Sequence, residues 1–183
     1  MNRLYRFLVL VGPRGSGKTT LGHALARVLD VPVYDTDRMV EESAGEPLSR
    51  LWEREGEESF RIFESGALEA LSRLPPGVVS TGGGIVLRPE NRATLRRLGF
   101  VLYLHVPEEQ LVARLAASSD RRPRLREGIP LADEIRQVSA ERDPLYREVA
   151  DHTLPSGALS IGLTVEEILS VLRRVSPPIG EIA

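Results

Sequence analysis

Cysteine is absent from the 183 residues of this chain, which excludes disulfides, cysteine-ligated zinc and thiol catalysis together. Lysine is almost absent: lysine and arginine total 24, and all of them except Lys18 are arginine. There is a single tryptophan, and aromatic residues make up 5% of the chain. Trp52, Phe60, Phe63 and Leu68 read as packing residues, and no cofactor role is assigned to the tryptophan. A strong excess of either charge is missing as well. The formal net charge of −2 gives no reason to expect nucleic acid or an anionic membrane as partner. No apolar run is long enough to span a bilayer, and the one near the N-terminus lacks a small-residue cleavage site, so a cytoplasmic location follows by default. His23, His105 and His152 have no metal-ligand spacing and read as structural. Internal repeats and low-complexity segments are also absent.

What is present has the composition of a soluble globular protein, 42% apolar and 27% charged, in a length that suits one domain with a real core. The chain is organised around the stretch from Phe7 to Thr20. Phe7 to Val11 is continuously apolar, as a strand covered on both faces should be. Gly12, Gly17, Lys18 and Thr19 then fit G-x-x-x-x-G-K-[ST], with a further glycine at Gly15. Glycines let backbone N–H groups turn inward around an anion, and the helix that follows adds the positive end of its dipole. Lys18 can reach β- and γ-phosphates, and the Thr19 hydroxyl suits magnesium. The alternative is a tight strand-to-helix turn that happens to carry a lysine. The pattern predicts a phosphate loop formed by Gly12, Gly15, Ser16, Gly17, Lys18, Thr19 and Thr20.

Further along, Leu21, Ala24, Leu25, Val28 and Leu29 repeat at helical spacing as one core-facing stripe. Val31 to Tyr34 reads as a second strand, parallel to the first by right-handed crossover. Asp35 and Asp37 fall at its carboxyl end, where open α/β sheets bind ligands. One acid could serve as a helix cap; two beside a nucleotide site point to function. Pro47 to Leu74 reads as helical with a break near Gly56. Within it Arg61 has the spacing of a solvated ion pair with Glu57, Glu58 or Glu64. After a third strand, Val78 to Ser80, come Gly82, Gly83 and Gly84, which cost chain entropy unless something needs the backbone bare. A helix over Pro89–Leu98 and a buried strand over Phe100–Val106 follow, then a helix opened by Pro107. Ser118 to Gly128 is arginine-dense without an apolar stripe, the character of a lid. Leu131 to Val149 reads as a helix interrupted at Asp143-Pro144. Leu154 belongs to a last short strand, and Thr164 to Glu167 fits a capping box opening the final helix. The tail from Pro177 reads as loosely held.

Taken together, these motifs resemble the shikimate kinases, over nearly the full length of the chain. Gly12 to Thr19 is similar to that family's phosphate loop, Asp35-Thr36-Asp37 to its D-[ST]-D, and Phe60-Arg61-x-x-Glu64 to its F-R-x-x-E. Thr81 to Gly84 matches its glycine triplet, Arg122-Pro123 its lid R-P, and Arg142-x-Pro144-Leu145-Tyr146 its R-x-P-L-Y. The resemblance implies a three-layer α/β P-loop kinase fold with a mainly parallel five-stranded sheet in the order 2-3-1-4-5. It also implies a single domain over 1–183, with a substrate-binding segment at about 35–64 and a lid at about 117–129. It implies ATP and Mg²⁺, and transfer of the γ-phosphoryl group to the 3-hydroxyl of shikimate by a monomer. Arg61 and Arg142 would bind the shikimate carboxylate, and Gly82, Gly83 and Gly84 would lie along its ring. Asp37 would hold the hydroxyls and activate one of them. Asp35 and Thr19 would stand at magnesium, Arg114 near adenine, and Arg122 over the γ-phosphate. Two departures stand out: Arg124 follows the lid R-P where the family has an apolar residue, and Ser160 to Thr164 lacks the family's polar and proline residues. A gluconate kinase or nucleotide kinase would share the P-loop but not the glycine triplet with R-x-P-L-Y.

Overall fold

Every residue of strand β1, Phe7–Val11, is inaccessible to solvent, and its side chains alternate between two separate cores. Phe7, Val9 and Val11 face one, with Leu68, Leu71, Leu95 and Val149. Leu8 and Leu10 face the other, with Leu21, Leu25, Ile168 and Leu172. That is the signature of a strand with helices over both faces. The computed structural model describes residues 6–118, 128–157 and 160–174; the lid arginine Arg122, Arg124 and the tail from Pro177 lie outside the described residues.

The elements follow one another as α1 (Lys18–Leu29), β2 (Val33–Asp35), α2 (Thr36–Ala44), α3 (Leu48–Leu71), β3 (Gly77–Ser80), α4 (Pro89–Leu98), β4 (Gly99–His105), α5 (Glu108–Ala116), α6 (Leu131–Val149), β5 (His152–Pro155) and α7 (Ile161–Arg174). The five strands form one sheet in the order β2-β3-β1-β4-β5, and every pairing is parallel. Helices α1 and α7 cover one face; α3, α4 and α6 cover the other. This is the expected three-layer α/β architecture. All the strands point the same way, so β1, β2 and β3 deliver their following loops to one edge, where the chemistry-bearing residues gather. No helix among the described residues is long and apolar enough to cross a membrane.

Several local expectations are corrected. Helix α6 runs unbroken through Asp143-Pro144. A proline in a helix interior costs about 3 kcal/mol, but Ile135 before it and Tyr146 and Val149 after it are all buried, and that packing carries the helix across. Helix α7 starts at Ile161, not at a Thr164 cap. Thr164 lies within its first turn and donates its hydroxyl to the Ser160 carbonyl at 2.9 Å, while the Ser160 hydroxyl accepts from Leu163 N–H. In α1, Val28 is 57% exposed and does not belong to the core stripe. Conversely, the break in α3 falls at Gly56, whose φ of 74° and ψ of 179° no helix contains.

Candidate active site

Gly12 leaves β1 with a φ of 148°, and a Cβ there would stand 2.8 Å from the Leu104 carbonyl oxygen. Gly17 is the N-cap of α1 in the left-handed region, at φ 91°. Both positions need glycine, and between them the loop folds over the helix N-terminus. Lys18 is the first residue of α1, and its side chain turns back onto its own loop. The ammonium donates to the carbonyls of Gly12 at 2.9 Å and Pro13 at 2.8 Å and to the Ser16 hydroxyl at 3.2 Å. Ser16 and Lys18 are buried, whereas Thr19 and Thr20 are exposed. Gly15, Gly17, Lys18, Thr19, Thr20 and Arg114 all line one cleft. A contiguous cleft is lined by Gly15, Ser16, Gly17 and Thr20 together with Arg114, Gly157 and Thr164. Arg114 reaches it from α5, and its guanidinium donates to the Gly15 carbonyl at 3.2 Å.

Asp35 ends β2 and caps α2, accepting from the backbone N–H groups of Asp37 and Arg38. Its other oxygen accepts from the Thr19 hydroxyl at 3.0 Å. Capping and approach to the phosphate loop are thus performed by the same carboxylate. The Ser80 hydroxyl, at the end of β3, lies 3.3 Å from that of Thr19. Nothing in the sequence singles out Ser80, because a serine closing an apolar strand carries no signal of its own. Thr19, Asp35 and Ser80 bring three hard oxygen groups together, one of them a carboxylate. Magnesium accepts such a set when phosphate oxygens and waters complete its shell, so the residues fit the ion.

A second cleft lies beside the first, lined by Asp37, Trp52, Arg61, Glu64, Gly83, Gly84 and Arg142. Arg61 is 5% exposed, not the solvated surface pair that its spacing suggests. It donates to Glu64 at 2.6 Å and to Glu57 at 2.8 Å, and its guanidinium lies over the Trp52 and Phe60 rings at 5.6 and 5.4 Å. Burial works against the cation, but Glu64 and Glu57 more than offset it and hold its pKa above the usual value. Burial pushes the Glu64 carboxyl upward, against the pull of Arg61 and with a further push from the Asp37 charge. Arg142, also buried, donates to the Gly83 carbonyl at 3.1 Å. The Nε–H groups of Arg61 and Arg142 are both buried with no partner among the described residues, which leaves two charged donors of one cleft unsatisfied.

The glycine triplet is bare because these side chains press against it. A Cβ on Gly84 would fall on the Arg61 guanidinium, and one on Gly82 would fall on the Asp37 carboxylate and stand 3.0 Å from Glu64 Oε1. The Gly82 N–H is held by the buried Thr36 hydroxyl at 2.9 Å. The structure thereby gathers the described candidate residues, apart from Gly12 and Gly82, along adjoining clefts.

A phosphate loop on a parallel sheet, a hydroxyl–carboxylate pair at its mouth and an arginine-lined cleft alongside define a P-loop small-molecule kinase. The family model described as shikimate kinase matches residues 14–173. A shikimate kinase of Neisseria meningitidis serogroup C is 43% identical over 169 residues, covering 92% of this chain and 95% of the relative. Shikimate kinase 2 of an Enterobacter species is likewise 43% identical, over 89% of this chain and 91% of that one. Among solved structures, the Acinetobacter baumannii shikimate kinase in complex with shikimate superimposes with a TM-score of 0.86 at 33% identity, covering 94% of this chain and 95% of the other. A gluconokinase from Sinorhizobium meliloti reaches 0.58 at 19% identity over 96% of this chain and 95% of that one, a likeness of fold alone. The chain belongs to the shikimate kinase family.

Proposed function

We propose that this chain transfers the γ-phosphoryl group of ATP to the 3-hydroxyl of shikimate, giving shikimate 3-phosphate and ADP. The observation that carries the reading is the pair of unpartnered, buried Nε–H groups of Arg61 and Arg142 in one cleft. A carboxylate is the acceptor that two guanidinium groups recognise best, and the acid of shikimate supplies one. With the carboxylate there, the ring lies along Gly82 to Gly84 and presents a hydroxyl to Asp37, which also lines the phosphate cleft. The hydroxyl oxygen forms a bond to the γ-phosphorus as the bond to the β–γ bridging oxygen breaks; Asp37 accepts the hydroxyl proton, and ADP leaves with the electron pair.

Catalysis in such a transfer is positioning and charge neutralisation. Lys18 exchanges its bonds to Gly12, Pro13 and Ser16 for phosphate oxygens. Gly12, Gly15, Ser16 and Gly17 surround the phosphates, with Thr20 beside them, and Arg114 lies on the adenine side. Thr19 and Asp35 would hold Mg²⁺, with Ser80 beside them; bound there, the ion would neutralise charge on the phosphates. Arg122, from a lid at about 117–129, would spread charge over the γ-phosphate. The reading further places the enzyme in the cytoplasm as a monomeric single domain.

An ADP-release assay against shikimate, gluconate and AMP tests the proposal. Release with shikimate alone is the expected result. Release with gluconate or AMP and none with shikimate would contradict it.

A further inference from the structure

We infer that Arg14 is a further catalytic residue, one whose guanidinium contacts the phosphoryl group as it passes between the two clefts; the inference rests on the kinase reading above. Two residues, Arg14 and Asp37, line both the phosphate cleft and the arginine cleft. They carry opposite charges, and they mark the seam where donor and acceptor must meet.

A carboxylate at that seam suits a hydroxyl proton but repels a phosphoryl group. The two anions approach closely, and like charges repel at that range. A cation beside Asp37 removes the repulsion. The other described cations at these clefts have separate places. Of these two clefts, Arg61 and Arg142 line the arginine cleft and not the phosphate cleft, and Arg61 is engaged with Glu64 and Glu57. Lys18 lines the phosphate cleft and not the other, as does Arg114. Arg14 alone among the described cations spans both. A guanidinium has the planar fork to address a phosphoryl group bidentately, which a compact ammonium lacks.

Backbone packing keeps the residue in place independently of its side chain. A Cβ on Gly83 would come to 3.4 Å from the Arg14 backbone nitrogen, so the phosphate loop rests against the glycine loop at this point. Shortening the side chain should therefore leave both loops where they are.

The test is steady-state kinetics of Arg14→Ala and Arg14→Lys beside the wild type, with calorimetric titration of shikimate into each nucleotide-free protein. A charged hydrogen bond made in the transition state predicts a kcat lower by about ten- to a hundredfold in Arg14→Ala. KM for shikimate and ATP should stay within about threefold, with kcat and kcat/KM falling together. Shikimate affinity without nucleotide and the melting temperature should be unchanged, and Arg14→Lys should recover part of kcat. A kcat equal to wild type in Arg14→Ala would overturn the inference. So would a loss confined to the shikimate KM and its affinity, since Arg14 would then be a ground-state ligand. An Arg14→Lys variant that folds like the wild type but turns over no faster than Arg14→Ala would also overturn it. A wild type that never phosphorylates shikimate would instead defeat the underlying reading, which keeps the two failures apart.

Discussion

Arg142 and Tyr146, one turn apart on α6, donate to the same acceptor, the carbonyl oxygen of Gly83. The helix is thereby tied to the middle of the glycine triplet. Tyr146 is buried and stacks on Tyr103 with ring centroids 5.0 Å apart, and the Tyr103 hydroxyl donates in turn to Asp143 at 2.8 Å. The same pair thus anchors a helix and orients a charged side chain at the cleft.

Burial pushes the Tyr146 hydroxyl up to about 12, and burial also raises Tyr103. In the unfolded chain tyrosine ionises near 10. The native state therefore keeps a proton that the unfolded state releases, and stability falls as pH rises from about 10 toward 12. Tyr146 contributes to that decline across the window. Thermal melts between pH 9 and 11.5 should show a shallower decline for Tyr146→Phe than for the wild type. Parallel declines would mean that this hydroxyl is not protected by the fold.

The shikimate carboxylate is expected to be shared by Arg61 and Arg142. Losing a charged hydrogen bond at a buried site costs about 1.5–3 kcal/mol. Arg61→Ala and Arg142→Ala should each raise the shikimate KM by roughly ten- to a hundredfold and leave the ATP KM nearly constant. Gly84→Ala should act like Arg61→Ala, because its methyl group would occupy the guanidinium position. Steady-state kinetics with each substrate varied in turn makes the comparison. An unchanged shikimate KM in either arginine variant would exclude that residue from carboxylate binding.

The two acids should separate cleanly. Asparagine caps helices about as well as aspartate, so Asp35→Asn should fold normally and show a raised Mg²⁺ requirement. Asp37→Asn should lose turnover while keeping ATP affinity, because the amide cannot accept the hydroxyl proton. Activity followed over a magnesium titration would distinguish them. Identical behaviour of the two variants at every concentration would reject the division of roles.

Much of the site was legible in the sequence because its chemistry is local. The phosphate loop, Asp35-Thr36-Asp37 and the glycine triplet each fit within a few consecutive residues at a strand's end. Arg61 is different: Glu57 and Glu64 stand at the spacings of ordinary surface pairs, and burial came from Trp52, Phe60 and the glycine loop, which periodicity does not bring together. The resemblance to shikimate kinases assigned it a place in the site where spacing did not. Ser80 was invisible because its role depends on the register of β3 beside β1. The continuity of α6 is hidden from the sequence for a related reason, since Pro144 acts locally and the packing of Tyr146 and Val149 acts over distance.

The central claim is a phosphoryl transfer of defined direction and position, and the product tests it most directly. Wild-type enzyme would be incubated with shikimate and Mg–ATP, and the purified product examined by phosphorus–proton correlation NMR. The account predicts one phosphomonoester, its phosphorus coupled to the proton on carbon 3 of the ring, with ADP formed in equal amount. Phosphate on another hydroxyl, or ADP formed without a shikimate phosphoester, would contradict it.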